Sequence, residues 1–485
     1  MKLYDELLKY AEDNVLPMHM PGHKRNPEYT MTNPYAWDIT EIDGFDNLHE
    51  PEGILLEGKN LASRIYGSDE SYFLVNGSTA GILAGICACT NPGDTILAAR
   101  NCHKSVYHAL IMNGLKPVYL HPFAERKTGI FGSISPAEVY DCLQQYHPSL
   151  VIVTSPTYEG ILSDIRTIAA ICHEHNIPLM VDEAHGAHLK TASQPFSPFP
   201  ESALCHGADL VVQSLHKTLP SLTSTALLHR KGSLVNPAKL KFFLDVYQTS
   251  SPSYVLMASI DSCLHRMNEE CWKHQLTEWK KMTDLFYRMT SKLKVLKVFS
   301  PAGSDLFFAK DPSKFVITAE GTNHSGKELT ELFRNEYGIE LEMASEKYVI
   351  AMTGAGDTEE KILRFARAVI SIDKKWSEED QRTSEDAFVY IVKETVMCTP
   401  AEAFRLSYEE DAYEELPLSL ELKGRVSLEF LYIYPPGIPA LVPGEEITEE
   451  IVKQAEAYET SGLTVLGYRN AEKKTIRVMK NSSSL

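Results

Sequence analysis

The chain has 485 residues, enough for about three domains of ordinary size and a large buried core. Hydrophobic residues make up 44% and charged residues 23%, which excludes disorder, collagen or coiled coil as a whole-chain description. Lys and Arg number 47 against 65 Asp and Glu, a formal charge of -18 with no basic block, which argues against a general grip on nucleic acid or anionic lipid and fits either acidity for solubility alone or a cationic small molecule.

The N-terminal MKLYDELLKYAEDN spaces Leu3, Leu7, Leu8 and Ala11 as the apolar stripe of an amphipathic helix, unlike the apolar core of a secretion signal. No stretch is apolar for long enough to cross a membrane. The nine cysteines are scattered without a CxxC pair, which points to reduced thiols and a cytoplasmic location. Residues 1–60 are read as this helix plus an arm rich in Pro, Gly, His and acids. Over 61–300, apolar runs alternate with helix-length segments: SYFLV at 71–75, TILAA at 95–99, PVYL at 117–120, LVIVT at 150–154, LMVD at 179–182 and DLVVQS at 209–214. Such alternation predicts βαβ units and a mainly parallel sheet, with ligands at the carboxyl ends of its strands. A smaller α/β subdomain is expected over 301–385, with strands at 314–318 and 348–352 and helices at 326–337 and 357–372. Gly354-Ala355-Gly356 reads as the turn before the second helix, and the charged run 374–386 as a linker or solvated helix. A C-terminal α+β unit over 386–485 carries the turn-rich YIYPPGIPALVPGEE at 432–446.

The chemistry gathers at the strand ends. Gly77-Ser78-Thr79 follows the first strand and opens a helix of small residues, so its backbone N–H groups and hydroxyls are either a simple helix N-cap or a phosphate cradle. Ser214, His216 and Lys217 follow DLVVQ, where desolvation would lower the amine's pKa and make it a Schiff-base nucleophile. Asp182 ends another strand, and a carboxylate there needs a cationic partner such as the ring nitrogen of pyridoxal 5'-phosphate. His103, in Arg100-Asn101-Cys102-His103, is placed to stack on a flat ring. Asp182-Glu183-Ala184-His185 also spells a helicase box, but no phosphate-binding G-x-x-x-x-G-K-[ST] precedes it. A metal site built from Asp182, His185, His188, His173 and His175 lacks the H-E-x-x-H pattern, and no metal is expected.

In these motifs the chain resembles the bacterial ornithine/lysine/arginine decarboxylases, pyridoxal-phosphate enzymes of the aspartate-aminotransferase fold (fold type I). The resemblance runs through MPGHK at 20–24, DITEIDGFDNLHEPEG at 38–53, FLVNGSTAG at 73–81, SPTYEG at 155–160, VDEAHGAH at 181–188, GADLVVQSLHKTLPSLTST at 207–225, SSPSY at 250–254 and YPPGIPALVPGE in the last unit. It looks like the short form without an added N-terminal domain.

The resemblance implies Lys217 as the Schiff-base lysine, with Ser214 and His216 beside the phosphate and Gly77, Ser78 and Thr79 binding it from the helix. It implies His103 stacked on the ring, Asp182 on the ring nitrogen and His185 near the phenolic oxygen. The family's sites form at a dimer interface, so Thr249, Ser250 or Ser251 of a second copy would complete the phosphate shell in a homodimer or higher oligomer. Ser78 and Ser250 stand where Thr is frequent, and Ser224 where Gln is. The expected reaction is α-decarboxylation of arginine, then lysine, then ornithine in order of preference, with Lys217 or His216 returning the proton. Arm acids Asp38, Glu41, Asp43, Asp46 and Glu50 either meet the substrate's distal cation or cap turns. The alternatives are an aminotransferase or other pyridoxal-phosphate lyase on the same fold, or a non-catalytic decarboxylase-like regulator.

Overall fold

Apolar residues run unbroken through each central strand, so successive side chains fill opposite faces and both faces need cover. In a computed structural model, which describes residues 3–29, 31, 33–301, 304–319, 322–378, 394–434, 438–460 and 462–480, seven such strands form one sheet. They are β1 (Glu70–Leu74), β2 (Thr95–Ala99), β3 (Lys116–Leu120), β4 (Leu150–Thr154), β5 (Leu179–Asp182), β6 (Leu210–Ser214) and β7 (Ala226–Arg230). Their spatial order is β1-β7-β6-β5-β4-β2-β3. Pairing is parallel from β3 through β6, and β7 runs antiparallel between β6 and β1. The mainly parallel sheet therefore matches expectation, and β7 is an added strand inserted by a return connection.

The two faces separate by alternation. Leu97, Val151, Val153, Val181 and Val211 pack into one core, while Ile96, Leu150, Ile152, Met180 and Val212 pack into the other. Helix α3 (Gly77–Cys89) lies on the second face, after α1 (Leu3–Glu12) and α2 (Ile54–Tyr66). Its small residues allow the close approach anticipated from sequence: a Cβ on Gly81 would fall 2.6 Å from Leu74 Cδ1.

Two further layers matter for the site. The strands Lys314–Thr318 and Tyr348–Met352 pair antiparallel in a four-stranded sheet, covered by helices Gly326–Tyr337 and Glu359–Ser377. The first of these helices starts on a Ser325/Glu328 capping box. Leu16 and Met18 of the arm and Phe286 of helix Cys271–Met289 join that core, so the arm is built into the smaller layer. Residues 379–386 of the charged run lie outside the described residues; the helix itself reaches Ser377.

The C-terminal unit carries three antiparallel strands, Leu431–Tyr434, Ile438–Leu441 and Thr464–Leu466, over its own core of Leu422, Ile451, Val452 and Val478. Part of its turn-rich stretch, 435–437, is outside the described residues. Among the described residues no helix is long and apolar enough to cross a membrane, and all nine thiols are free. The leucines of α1 are not packed inward: Leu3, Leu7 and Leu8 are 76%, 55% and 48% exposed.

Candidate active site at the strand ends

The carboxyl ends of β2, β4, β5 and β6 surround a cavity of about 550 Å³. Nine of the ten residues singled out from sequence line it: Gly77, Ser78 and Thr79 on one wall, His103, Asp182 and His185 across the floor, and Ser214, His216 and Lys217 beyond β6. Ser250 is the exception. It follows α8 (Pro237–Tyr247), is exposed, and lies outside the cavity of its own chain, because His49 Nε2 holds the neighbouring Thr249 carbonyl at the surface at 2.9 Å.

The phosphate-cradle residues are organised by local geometry. Gly77 sits at φ +72°, which only glycine adopts without strain, and its N–H donates to the Ser224 carbonyl at 2.9 Å. That turn starts α3 and brings the Ser78 and Ser214 hydroxyls within 2.6 Å of each other, from opposite sides. Two hydroxyls thus meet at the N-terminus of a 13-residue helix, where the helix dipole favours negative charge.

Lys217 lies in the short helix α7 (Leu215–Thr218), directly after β6; helices α4 (Lys104–Met112), α5 (Pro136–Gln145) and α6 (Ile165–Glu174) precede it in the chain. Burial lowers the Lys217 pKa, opposed by the Asp182 and Glu342 carboxylates. Its Nζ lies 2.9 Å from His185 Nε2. Burial, then the Lys217 charge, holds His185 well below the usual imidazole range, so this ring is neutral and accepts the bond. Tyr158 packs against it, with ring centroids 4.7 Å apart.

Asp182 is buried, and its Oδ1 accepts the Ala184 N–H at 3.1 Å. Burial raises its pKa while Lys217 opposes the rise. His103 caps α4 by accepting the Ser105 N–H at 3.2 Å on Nδ1, and burial pushes it down to about 4. His216 Nδ1 lies 2.9 Å from the Thr225 carbonyl, which only accepts, so Nδ1 carries the proton. Burial takes His216 to about 4 as well.

Three lining residues have a buried polar atom without a hydrogen-bond partner: Asn101 Oδ1, Thr154 Oγ1 and His185 Nδ1. Such atoms are costly unless a ligand or water meets them. The histidines of the metal reading separate instead: His188 pairs with Asp311 at 3.2 Å and His173 with Asp209 at 2.9 Å.

Sequence reasoning missed two acids. Glu159 lines the cavity, with Oε2 accepting the Thr157 hydroxyl at 2.8 Å and Oε1 the Tyr348 hydroxyl at 2.7 Å. Glu342 stands behind Met20 and Tyr158, accepting the Met20 N–H at 2.9 Å and the Tyr158 hydroxyl at 2.5 Å. Within the same chain, none of the five arm acids lines the cavity. Asp46 accepts the N–H groups of Asn47, Glu52, Gly53 and Leu55, and Glu50 pairs with Lys241 at 2.6 Å, which are structural duties.

The arm instead seals the site by backbone. Gly22 N–H donates to the His216 carbonyl at 2.7 Å, and Gly356 N–H donates to the Gly22 carbonyl at 2.9 Å. A Cβ on Gly22 would sit 2.3 Å from the Thr218 carbonyl carbon, which is why glycine stands in MPGHK. From the C-terminal unit, Tyr432, Ile438 and Leu466 supply an apolar wall.

Comparison with known proteins agrees with this arrangement. Residues 2–337 match the family described as "Orn/Lys/Arg decarboxylase, major domain", and residues 382–470 match "Orn/Lys/Arg decarboxylase, C-terminal domain". The chain is 30% identical to the arginine decarboxylase of Bacillus subtilis over 100% of its own length and 98% of the relative's. It is 34% identical to the same organism's "Uncharacterized protein YaaO", covering 98% of each. Among solved structures, the lysine decarboxylase LdcF of Francisella novicida superposes with a TM-score of 0.77 at 21% identity, over 98% of this chain and 80% of that one, which shows a shared fold. With both of its regions matched and a relative aligned end to end, the chain belongs to the Orn/Lys/Arg decarboxylase family and is an amino-acid decarboxylase.

Proposed function

We propose that this decarboxylase holds pyridoxal 5'-phosphate in the described cavity and removes the α-carboxylate of arginine in preference to lysine and ornithine. The observation that carries this reading is the convergence of Lys217, Asp182 and the Ser78/Ser214 hydroxyl pair on one cavity. The residues fit the cofactor. Gly77, Ser78, Thr79 and Ser214 would hold its phosphate, Asp182 its ring nitrogen, and His103 one ring face, while the unpartnered Asn101, Thr154 and His185 atoms are available to its polar edge.

Bound pyridoxal phosphate supplies an electron-poor ring that takes up the electron pair left when the Cα–carboxylate bond breaks. The chain's own residues do the rest. Asp182, once paired with a ring cation, stays ionised and keeps that ring an electron sink. Burial keeps the Lys217 amine easier to deprotonate than in water, as a nucleophile requires. Lys217 rather than His216 returns the proton to Cα: His216 is neutral at pH 7, and its one ring proton is committed to the Thr225 carbonyl. Glu159 would meet the distal cation of the substrate, and the apolar wall from Tyr432, Ile438 and Leu466 excludes water.

The ranking of arginine rests on the end-to-end match to a relative named arginine decarboxylase. Ser250 of a second copy would close the phosphate end. Exposed apolar side chains on α1, at Ile42 and Phe45 of the arm, and at Phe242 and Val246 of α8 support such self-association. Purified protein is incubated with arginine, lysine and ornithine separately, and carbon dioxide and the amine are measured. Arginine should give the highest kcat/KM. A keto acid product would make the protein an aminotransferase, and no turnover of any of the three would overturn the reading.

A further inference from the structure

One buried side chain joins the cofactor-side loop to the C-terminal unit. Arg100 follows β2, immediately before the cavity-lining Asn101 and His103. Its guanidinium lies outside the cavity, in a junction where its N–H groups reach Tyr107 of α4 or the C-terminal unit. Nη1 donates to the Tyr107 hydroxyl at 3.0 Å and to the Pro439 carbonyl at 2.7 Å. Nη2 donates to Glu445 Oε2 at 3.1 Å and to the Ala440 carbonyl at 3.4 Å. Tyr107 returns its hydroxyl to the Arg100 carbonyl at 2.6 Å, which fixes the loop, and the rings of Tyr107 and Tyr119 flank the cation. Glu394 stands 3.9 Å from Nε and binds His121 with its other oxygen at 3.1 Å.

Pro439 and Ala440 belong to the strand Ile438–Leu441, which pairs with Leu431–Tyr434, which in turn pairs with Thr464–Leu466. Each of these three strands gives one residue to the cavity wall: Ile438, Tyr432 and Leu466. Beside Arg100, the C-terminal unit docks through Val442, buried in the core of the large sheet, through Phe430, which meets Tyr107 edge-on at 6.3 Å, and through the helix Pro400–Leu406, which packs on α4. Glu445 is itself buried, its Oε2 also accepting the Val442 N–H at 2.8 Å. Burial raises its pKa while the Arg100 charge opposes the rise.

We propose that Arg100 is a positioning residue that latches the C-terminal three-stranded sheet over the cavity within one chain, and so sets how closely the substrate is enclosed. The inference rests on the reading of this cavity as the substrate site. Arg100 touches no reacting atom; it acts through Ile438, Tyr432 and Leu466. Arginine suits the task because a planar fork of five donors satisfies two carbonyls, a carboxylate and a hydroxyl at once, which an ammonium cannot do.

The test compares holoenzymes carrying R100M, R100K and E445Q with the parent. KM, kcat, cofactor absorbance and amide hydrogen exchange in Leu431–Tyr434 and Ile438–Leu441 are measured. R100M should raise KM for the basic amino acid by about tenfold or more, as loss of charge-assisted bonds implies. It should speed exchange in those two strands and leave the position of the cofactor absorbance unchanged. R100K should recover part of the KM, and E445Q should move both readouts in the same direction by less. Parent-like exchange and KM in R100M would overturn the latch, as would a loss confined to kcat and cofactor affinity. Should R100M fail to fold, E445Q decides by the same two readouts. Should the parent turn over none of the three amino acids, the functional reading fails, and exchange alone still decides whether Arg100 holds the sheet.

Discussion

Lys217 Nζ lies 2.9 Å from His185 Nε2, and because burial keeps His185 neutral, the lysine donates in that bond. The amine is therefore held in a fixed direction before any ligand arrives. Lys217→Ala should lower turnover by about a thousandfold or more and return the bound cofactor's absorbance to that of the free aldehyde. Steady-state kinetics and visible spectra check this, and full turnover by the variant would remove Lys217 from the mechanism.

Asp182 is a buried carboxylate placed at a strand end with one backbone donor. Asp182→Asn keeps the shape and removes the charge. Turnover should fall by about a hundredfold or more, because charge stabilisation in a dry site is lost. The melting temperature of the cofactor-free protein should hold or rise, since an isolated buried charge is costly. A fall in both would make the residue structural.

Gly22 passes too close to Thr218 for any side chain. Gly22→Ala should cost about 1–3 kcal/mol in denaturant unfolding, as overpacking does, and displace the Lys217 helix enough to weaken cofactor binding. A variant that binds the cofactor like the parent would show that the arm gives way freely.

Asp46 gathers four backbone N–H groups at the entry to α2. Asp46→Ala should therefore destabilise the fold by about 1–2 kcal/mol, typical of a lost helix cap, with KM unchanged. Glu41→Gln and Asp43→Asn, by contrast, should leave stability as it is. A raised KM in either of those two would place the arm in the substrate path of a second copy.

Burial takes His103 and His216 down to about 4 and His229 to about 3, from the ordinary 6.5. Below pH 6.5 the unfolded chain takes up protons that the folded chain refuses until these lower values. The stability held by the three neutral rings is complete above pH 6.5 and is lost as the pH falls toward 4. Melting temperatures across that window should decline steadily on acidification, and a flat profile would contradict the burial of these rings.

Much of the candidate site was legible because its residues follow apolar runs whose pattern marks them as strands, so Asp182, Ser214 and Lys217 announce themselves by position. Strand β7 escaped because ALLHR is five residues long and ends in the polar His229 and Arg230, and only the one-turn helix α7 separates it from β6. Glu159 and Glu342 escaped for another reason. An acid in a loop or short strand looks like solvated surface until Tyr348 or Met20 is brought to it from a distant part of the chain. The sequence likewise shows Arg100 but not its duty, since its partner Pro439 is 339 residues away.

The arm strand Leu16–Met18 pairs in parallel with Ile339–Leu341. A chain made from its N-terminus carries that strand unpaired until the ribosome has delivered residues beyond 341, long after β7 has completed the large sheet. The segment holding Gly22 against the lysine helix is therefore fastened late in synthesis. Until then the stretch that places Gly22 over the lysine helix lacks its anchor in the smaller sheet layer, so the cover of the pocket is among the last parts of the molecule to be secured.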